Sequence, residues 1–149
     1  MSLPNLDPYR VPWPKDFPPA RELLRAAEDA RAMAYAPYSE FFVGAAIYVE
    51  GCGAFLTGCN VENASYSLSM CAERNAAGAM ASAGFRRPLA IAVAGEPGEP
   101  CLPCGACRQF LAEFNPNLLV VLREGEGTAV LSLGLLLPAP FSLEGESVE

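Results

Sequence analysis

The chain has 149 residues, a length that suits one compact domain with a continuous core. Hydrophobic residues make up 52% and charged residues 18%, which excludes a wholly disordered chain, and no apolar run approaches the roughly 18 residues of a membrane span. The formal net charge of -7, with no cluster of Lys and Arg, argues against binding to a polynucleotide backbone. We therefore expect one soluble domain that binds neither nucleic acid nor a membrane.

Cysteine usage and the absence of histidine narrow the chemistry. The N-terminus lacks the apolar segment of a secretory signal, so we expect a cytoplasmic protein whose six cysteines stay reduced. Reduced cysteines favour metal binding or catalysis over disulfides. Because the chain has no histidine, a Ser-His-Asp triad and a Cys-His pair are excluded, and any zinc ion must bind thiolate and oxygen ligands.

The first third of the chain predicts an arm, a helix and a hairpin. Residues 1–19 carry six prolines, which predicts an extended, partly ordered arm. From Ala20 onward, an amphipathic helix that Pro37 stops is predicted by apolar residues at helical spacing: Leu23, Leu24, Ala27, Ala30 and Met33. Two apolar segments, 41–49 and 54–57, flank the sequence EGCG and predict a hairpin.

The remainder of the chain alternates helices and strands. The segment MCAERNAAGAMASA predicts a second helix, capped by Ser69 or a neighbour and ended at Gly84. The segment CGACRQFLAEF predicts a third helix that runs to Asn115, and a short apolar tail contains LLLPAPF. Further strands are predicted over residues 89–94, 118–122 and 128–133. This alternation predicts an α/β fold, a three-layer α/β/α sandwich with a five-stranded mixed sheet.

Three cysteines are placed to bind one metal ion. Cys104 and Cys107 are three residues apart, which puts both sulfurs on one face of the first turn of the third helix. Cys71 begins the second helix, and the free N–H groups at a helix start favour the thiolate form. If the two helix starts meet, three thiolates surround one ion and leave a fourth position for water, as in catalytic zinc sites.

Glu73 is the candidate for acid and base chemistry. It follows Cys71 by two residues, about 200° around a helix, so its carboxylate is poorly placed to bind the same ion. The carboxylate can still reach over the metal's water, where it would take a proton and deliver it to a substrate. With no histidine in the sequence, Glu73 is the strongest candidate for this role.

Five motifs occur together between Ala20 and Phe141: AYAPYSEFFVGAAI, GCNVENASYS, CAER, PCGACRQ and LLLPAPF. In order and approximate spacing, they resemble the small homotetrameric, zinc-dependent cytidine deaminases. The resemblance implies that residues 20–149 form a cytidine deaminase-like catalytic domain. It also implies hydrolytic deamination of cytidine or deoxycytidine to uridine or deoxyuridine plus ammonia, in pyrimidine salvage.

The resemblance assigns the metal-site residues one by one. It implies a zinc ion bound by Cys71, Cys104 and Cys107, with Glu73 as the proton shuttle. Arg74 matches a family arginine that hydrogen-bonds the ligand sulfurs. Such a cation would offset the negative charge of three thiolates on one zinc ion.

The resemblance also assigns residues that contact the nucleoside. Phe41 would stack on the pyrimidine, and Asn60 and Glu62 would hydrogen-bond the ribose hydroxyls. Three further residues would approach the pocket of a neighbouring subunit in a homotetramer: Ala64, Tyr66 and Phe141. The partners implied are therefore a small nucleoside and three further copies of the chain.

The residues by themselves leave several alternatives open. Cys101 forms a second CxxC pair with Cys104, so a closed structural zinc site in a non-catalytic module competes with an open catalytic one. Buried apolar thiols and redox chemistry of a CxxC pair are further alternatives. Taken singly, Phe41 is typical of a core aromatic, Asn60 of a turn and Glu62 of a solvated loop. Within the same chemistry, the alternative is a deaminase of a nucleoside antibiotic such as blasticidin S.

Overall fold

A five-stranded sheet with helices on both faces forms the body of the molecule. The computed structural model describes residues 4–143, so residues 1–3 of the predicted arm and 144–149 of the predicted catalytic domain lie outside it. The helices are α1 Ala20–Arg31, α2 Ala72–Ser82, α3 Gly105–Phe114 and α4 Leu133–Leu136. The strands are β1 Gly44–Tyr48, β2 Leu56–Cys59, β3 Ala90–Ala94, β4 Leu119–Glu124 and β5 Gly127–Ser132. Between residues 4 and 143, no helix combines the length and the apolar character that crossing a membrane requires.

The sheet is mixed, and its strand order is β2-β1-β3-β4-β5. The central pair β3–β4 is parallel, and the other three neighbouring pairs are antiparallel. Parallel strands need a crossover connection, and α3 lies in the one that joins β3 to β4. The sheet and its two helical layers confirm the predicted α/β/α sandwich.

Side-chain alternation along β3 divides the core between the two faces of the sheet. Ile91 and Val93 belong to the larger cluster of buried residues, which also contains residues of α2, α3 and α4. Ala92 belongs to the smaller cluster on the other face, with Leu23 and Leu24 of α1. Because β3 is apolar on both sides, helices can pack on both faces of the sheet, as expected for a buried central strand of the predicted fold class.

Helix α1 is shorter than the spacing of its apolar residues predicts. The prediction continued the helix toward Pro37 and counted Met33 in its apolar pattern, but the helix ends at Arg31 and Met33 is 77% exposed. The backbone N–H of Tyr35 instead donates to the carbonyl of Asn60, at 3.0 Å. This pairing with the segment after β2 draws the chain out of the helix, and a local pattern cannot show such a long-range bond.

The start of α2 also differs from the prediction, whereas its end agrees. Cys71 occupies the N-cap position with an extended backbone (φ -68°, ψ 152°) and makes no side-chain capping bond. Ser69 does not cap the helix, because its hydroxyl accepts a hydrogen bond from the backbone N–H of Asn63 at 3.1 Å. Gly84 follows the helix with φ 91°, the left-handed conformation predicted for it.

The other predicted elements lie close to the observed ones. The hairpin is formed by β1 and β2, the three later strands are β3 to β5, and the third helix is α3. The apolar tail is not wholly irregular, because its first two residues, Leu135 and Leu136, form the end of α4. Leu133 at the start of α4 is fully buried in the larger cluster, so packing against the core stabilises a helix too short to be predicted from periodicity.

The described part of the arm lies against the sheet. Residues Asp7–Tyr9 form a 3-10 turn, and Leu6 before it is buried in the larger cluster. Arg10 forms an antiparallel bridge with Leu131, and the N–H of the next residue, Val11, donates to a carbonyl of β5 at 3.1 Å. Residues 6–11 therefore extend along the outer edge of the sheet at β5.

Candidate active site

The starts of α2 and α3 bring three cysteines together. Cys71 is the N-cap of α2, Cys104 is the N-cap of α3, and Cys107 lies in the first turn of α3. The three sulfur atoms all lie within 4.8 Å of one another, and those of Cys71 and Cys104 are 3.9 Å apart. The arrangement predicted from the cysteine spacing is therefore present in the fold.

Two contacts fix the start of α2 against β2. Gly58 of β2 lies so close to the helix that a Cβ on it would be 2.7 Å from the Ala72 carbonyl oxygen and 2.4 Å from the Ala76 nitrogen. The side-chain amide of Asn75 donates to the carbonyl of Cys59 at 2.8 Å. Any side chain larger than hydrogen at Gly58 would push α2, and with it Cys71, away from the sheet.

Arg108 fixes the start of α3. Its Nε donates to the carbonyl of Pro103 at 2.8 Å, and its Nη1 donates to the carbonyl of Leu136 at 3.2 Å. The first bond ties α3 to the residue directly before Cys104, and the second bond ties α3 to the end of α4. Arg108 belongs to the PCGACRQ motif, so the signal for this role was present in the sequence although no role was predicted for it.

The three sulfurs fit a zinc ion. Zinc–sulfur bonds of 2.3 Å in a tetrahedral site place two sulfurs about 3.8 Å apart, close to the 3.9 Å between Cys71 and Cys104. The sulfur of Cys101 is not a member of the group, so within residues 4–143 the group supplies three ligands rather than four. A three-ligand site leaves a coordination position for water, which is the pattern of catalytic zinc.

Neighbouring groups lower the pKa of one of the three cysteines and raise the pKa of another. The thiol of Cys107 donates to the sulfur of Cys71 and Arg74 lies beside it, and together they lower the pKa of Cys71 to about 5. The same hydrogen bond, together with burial, raises the pKa of Cys107. The Nη2 of Arg74 is 3.5 Å from the Cys71 sulfur, and its buried Nε has no partner among the described residues. The guanidinium group of Arg74 thus lies against the sulfur of Cys71.

Glu73 is buried beside the cysteines, with 4% of its surface exposed. Burial raises the pKa of its carboxyl group, and negative charge on Cys71 adds to the effect. Among the described residues, its carboxylate oxygens are not part of the three-sulfur group. A buried carboxyl group with a raised pKa beside a metal site is suited to proton transfer.

A pocket of about 180 Å³ opens at the sulfurs. Its wall contains five of the predicted site residues, which the structure thus brings to one place: Phe41, Asn60, Glu73 and two of the ligand cysteines, Cys71 and Cys104. The wall is completed by residues to which no site role was assigned: Val43, Ala72, Cys101 and Leu102. Only Cys101 among these was considered in the sequence, as a possible fourth ligand; Val43 and Ala72 lie within the quoted motifs, but no role was predicted for them.

Asn60 and Phe41 are joined by hydrogen bonds. The side-chain oxygen of Asn60 accepts from the N–H of Val43 at 2.9 Å, and its amide nitrogen donates to the carbonyl of Phe41 at 2.8 Å. Phe41 is 44% exposed, so it is not the core aromatic that its sequence context alone suggested. Asn60 thus holds the backbone on both sides of Phe42 and presents Phe41 at the pocket.

Glu62 lies in a neighbouring groove of about 220 Å³ rather than in the pocket with Glu73. Its carboxylate accepts hydrogen bonds from the backbone N–H groups of Tyr38 and Ser39 and from the Ser39 hydroxyl. The bonds from Ser39 do most to lower the pKa of Glu62. Tyr66 lines the same groove and packs edge-on against Tyr38, with ring centres 5.7 Å apart.

The other two predicted contact residues lie outside the pocket. Ala64 is exposed, and Phe141 is 73% exposed on the far side of α3. The backbone of Phe141 is held by the side chain of Gln109, which donates to its carbonyl at 2.9 Å and accepts from its N–H at 3.0 Å. Within one chain, therefore, neither residue contributes to the pocket that contains Glu73.

Residues 19–123 match the family model of the cytidine and deoxycytidylate deaminase zinc-binding region. The chain is similar to the cytidine deaminase of Sporosarcina psychrophila, with 43% identity over 125 residues that cover 83% of this chain and 91% of that one. Among solved structures it is similar to cytidine deaminase from Burkholderia pseudomallei, with 50% identity, a TM-score of 0.75 and coverage of 81% of this chain and 98% of that one. Cytidine deaminase from Mycobacterium tuberculosis gives 42% identity, a TM-score of 0.74 and coverage of 85% and 100%.

The match spans both helix starts that carry the sulfurs, as expected for a class of enzymes built around a zinc ion. The chain belongs to the cytidine and deoxycytidylate deaminase family. Membership confirms three predictions made from the motifs: the family, zinc as the cofactor, and hydrolytic deamination of cytidine as the activity. The roles assigned to single residues stay predictions and are developed below.

Proposed function

We propose that the protein hydrolyses the 4-amino group of free cytidine and deoxycytidine, releasing ammonia and leaving uridine or deoxyuridine. One observation carries this proposal: the buried carboxyl group of Glu73 and the partly exposed ring of Phe41 share a pocket with the three-sulfur group. That combination supplies a metal site, a proton carrier and a flat apolar surface for a planar base.

Cys71, Cys104 and Cys107 would hold the zinc ion. When bound, the ion supplies a Lewis acid that activates a water molecule at neutral pH. Three thiolates around a divalent cation leave a net negative centre, which weakens the ion as an electrophile. Arg74, 3.5 Å from the Cys71 sulfur, and the positive ends of α2 and α3 offset this charge.

Glu73 would carry the protons. It takes a proton from the attacking water and donates one to N3 of cytosine as the bond to C4 forms. The carboxylate then takes the proton of the new hydroxyl group on C4 and passes it to the amino group, so that the C4–N bond breaks, ammonia leaves and the C4 carbonyl forms. Burial raises the pKa of the Glu73 carboxyl group, which favours the protonated form that donates.

The groups around Phe41 would bind the nucleoside. Phe41 stacks on the pyrimidine, while Asn60 retains one N–H and one lone pair for a ribose hydroxyl after its two backbone bonds. The carboxylate of Glu62 accepts three bonds from Tyr38 and Ser39 and has acceptor capacity left for a second hydroxyl. The requirement for these hydroxyl contacts explains a preference for a nucleoside over a free base.

The active unit would be a homotetramer. The aromatic rings of Tyr66 and Phe141 are 74% and 73% exposed, which is unfavourable for rings of this size in a lone subunit. Contact with the pocket of a neighbouring copy would bury them together with Ala64. The net charge of -7 disfavours a polynucleotide substrate, and we expect a cytoplasmic enzyme of pyrimidine salvage.

The test compares the zinc-loaded protein on cytidine, deoxycytidine and blasticidin S, following the loss of cytosine absorbance. We expect turnover of both nucleosides and little of the antibiotic. Turnover of the antibiotic alone would replace this proposal with a deaminase of nucleoside antibiotics. Four sulfur ligands by zinc X-ray absorption, with no turnover, would identify a structural zinc module.

The number of subunits needs a separate measurement. Light scattering measures it, and an active monomer would contradict the proposed tetramer.

A further inference from the structure

Cys101 belongs to the pocket but not to the group of sulfurs. It lines the same 180 Å³ pocket as Phe41 and Glu73, whereas the group that can hold a metal contains only the three other cysteines of this region. The deamination proposed above gives Cys101 no task. A side chain that faces the base without taking part in the reaction can still decide which bases fit.

Cys101 has no room to withdraw from the pocket. A Cβ on Gly95, directly after β3, would lie 3.0 Å from both the Cβ and the sulfur of Cys101 and 3.3 Å from Cζ of Phe41. Gly95 is buried, and Cys101 packs against the larger core cluster. Gly95 thus lies directly against Cys101 and near the tip of the Phe41 ring, and protein interiors packed this tightly respond to changes of a single atom.

The chemistry of the base places Cys101 opposite its C5 atom. N3 and C5 flank C4 on opposite sides of the pyrimidine ring. If Glu73 on α2 serves N3, then C5 points away from α2, toward the segment between β3 and α3. Cys101 and Leu102 are the residues of that segment, before the ligand Cys104, that line the pocket.

We propose that Cys101, supported by Gly95, sets the size of the substituent that the pocket accepts at C5 of the cytosine ring. The inference rests on the function proposed above, because it assumes that Glu73 serves N3. Removing the sulfur enlarges the space at C5, and adding a methyl group at Gly95 pushes the sulfur toward the base. The two changes therefore act in opposite directions on one substituent.

The test measures kcat/KM for cytidine and for 5-methylcytidine, together with calorimetric Kd values for uridine and 5-methyluridine. In Cys101→Ala, we expect kcat/KM for 5-methylcytidine relative to cytidine to rise by about 10-fold, the lower end of the range for one methyl group in an apolar pocket, and the Kd of 5-methyluridine relative to uridine to fall by a similar factor. In Gly95→Ala, both ratios should change by a similar factor in the opposite direction. Cys101→Ser keeps the size of the side chain, so its ratio should stay near that of the unchanged protein.

Cys52→Ala, in the hairpin outside the pocket, is the matched control and should leave all ratios unchanged. If Gly95→Ala does not fold, Cys101→Ala and Cys101→Ser decide the question between them. Equal ratios in the alanine variant and the unchanged protein would overturn the proposal, as would an equal shift in the alanine and serine variants. Loss of zinc from Cys101→Ala would also overturn it by making Cys101 a ligand. No turnover of cytidine by the zinc-loaded protein would contradict the proposed function, while the Kd ratios would still test the pocket wall.

Discussion

The two faces of the sheet are built from the same strands but differ in what they bury. Among the described residues, the buried side chains on the face covered by α1 are apolar and include Leu23, Leu24 and several alanines. The face covered by α2 and α3 buries Glu73 and carries the three-sulfur group at the helix starts. Burying a carboxyl group lowers the stability of the fold unless the group is paired. The face that carries the site is therefore less stable than an apolar core would be, and the face covered by α1 has no such cost. Changes on the two faces should therefore affect different measurements.

The largest effect should come from the carboxyl group on the catalytic face. Glu73→Gln keeps the size of the side chain but cannot transfer protons, so we expect kcat to fall by about 10²–10⁴-fold. The measurement is the initial rate of absorbance loss with cytidine, with zinc content checked in the same sample. Glu28→Gln on α1 is the control, because Glu28 pairs with Arg123 away from the pocket, and its kcat should not change. An equal loss of kcat in both variants would mean that catalysis also depends on the face covered by α1.

The next effect concerns the apolar face. Leu24 is fully buried against the sheet, so Leu24→Ala should lower the free energy of unfolding by about 2–5 kcal/mol, through lost burial and the cavity left behind. Urea unfolding of the zinc-loaded protein measures this change. Zinc content and KM for cytidine should stay as they are at temperatures where the variant is folded. A changed zinc content in the folded variant would show that α1 also shapes the metal site.

A smaller effect is expected from the cation beside the sulfurs. Arg74→Ala removes the guanidinium group that lies against Cys71, so zinc affinity should fall by about 10–100-fold, the usual range for residues that support metal ligands. Competition with a chromophoric chelator measures the affinity. Arg74→Lys keeps the charge and should recover part of the loss. Unchanged zinc affinity in Arg74→Ala would show that Arg74 does not support zinc binding.

The smallest effect is a pH dependence of stability in the metal-free protein. Burial raises the pKa of Glu73 above its value of about 4.3 in unfolded chains, so the folded state favours the protonated carboxyl group. The stability that the neutral group allows is present below the unfolded pKa and is lost as pH rises through the folded pKa. Glu73→Gln should therefore be more stable than the unchanged protein at neutral pH, with the difference vanishing in acid. Urea unfolding at a series of pH values checks this, and a difference that grows in acid would contradict it.

The chemistry could be predicted from the sequence because it depends on local spacing. Cys104 and Cys107 are neighbours on one helical turn wherever that helix lies, and Glu73 is fixed relative to Cys71 in the same way. The elements were also predictable, because apolar alternation and helical periodicity are local. The buried surroundings that raise the pKa of Glu73 were not, since they depend on how α2 packs against β2 at Gly58.

Features that depend on distant partners escaped prediction. α1 ends early because Tyr35 pairs with Asn60, and Ser69 fails to cap α2 because Asn63 uses its hydroxyl. Cys101 was considered only as a metal ligand, because nothing in the sequence shows that Gly95 backs it. Each of these outcomes is decided by a residue that the local pattern does not contain.

The arm along β5 has a consequence for assembly. An exposed edge strand offers unpaired N–H and C=O groups on which a second chain can continue the sheet. In this molecule the backbone of Arg10 and Val11 already pairs with β5. Copies of the chain could extend the sheet at that position only by displacing the arm, so the arm disfavours association through the β5 edge.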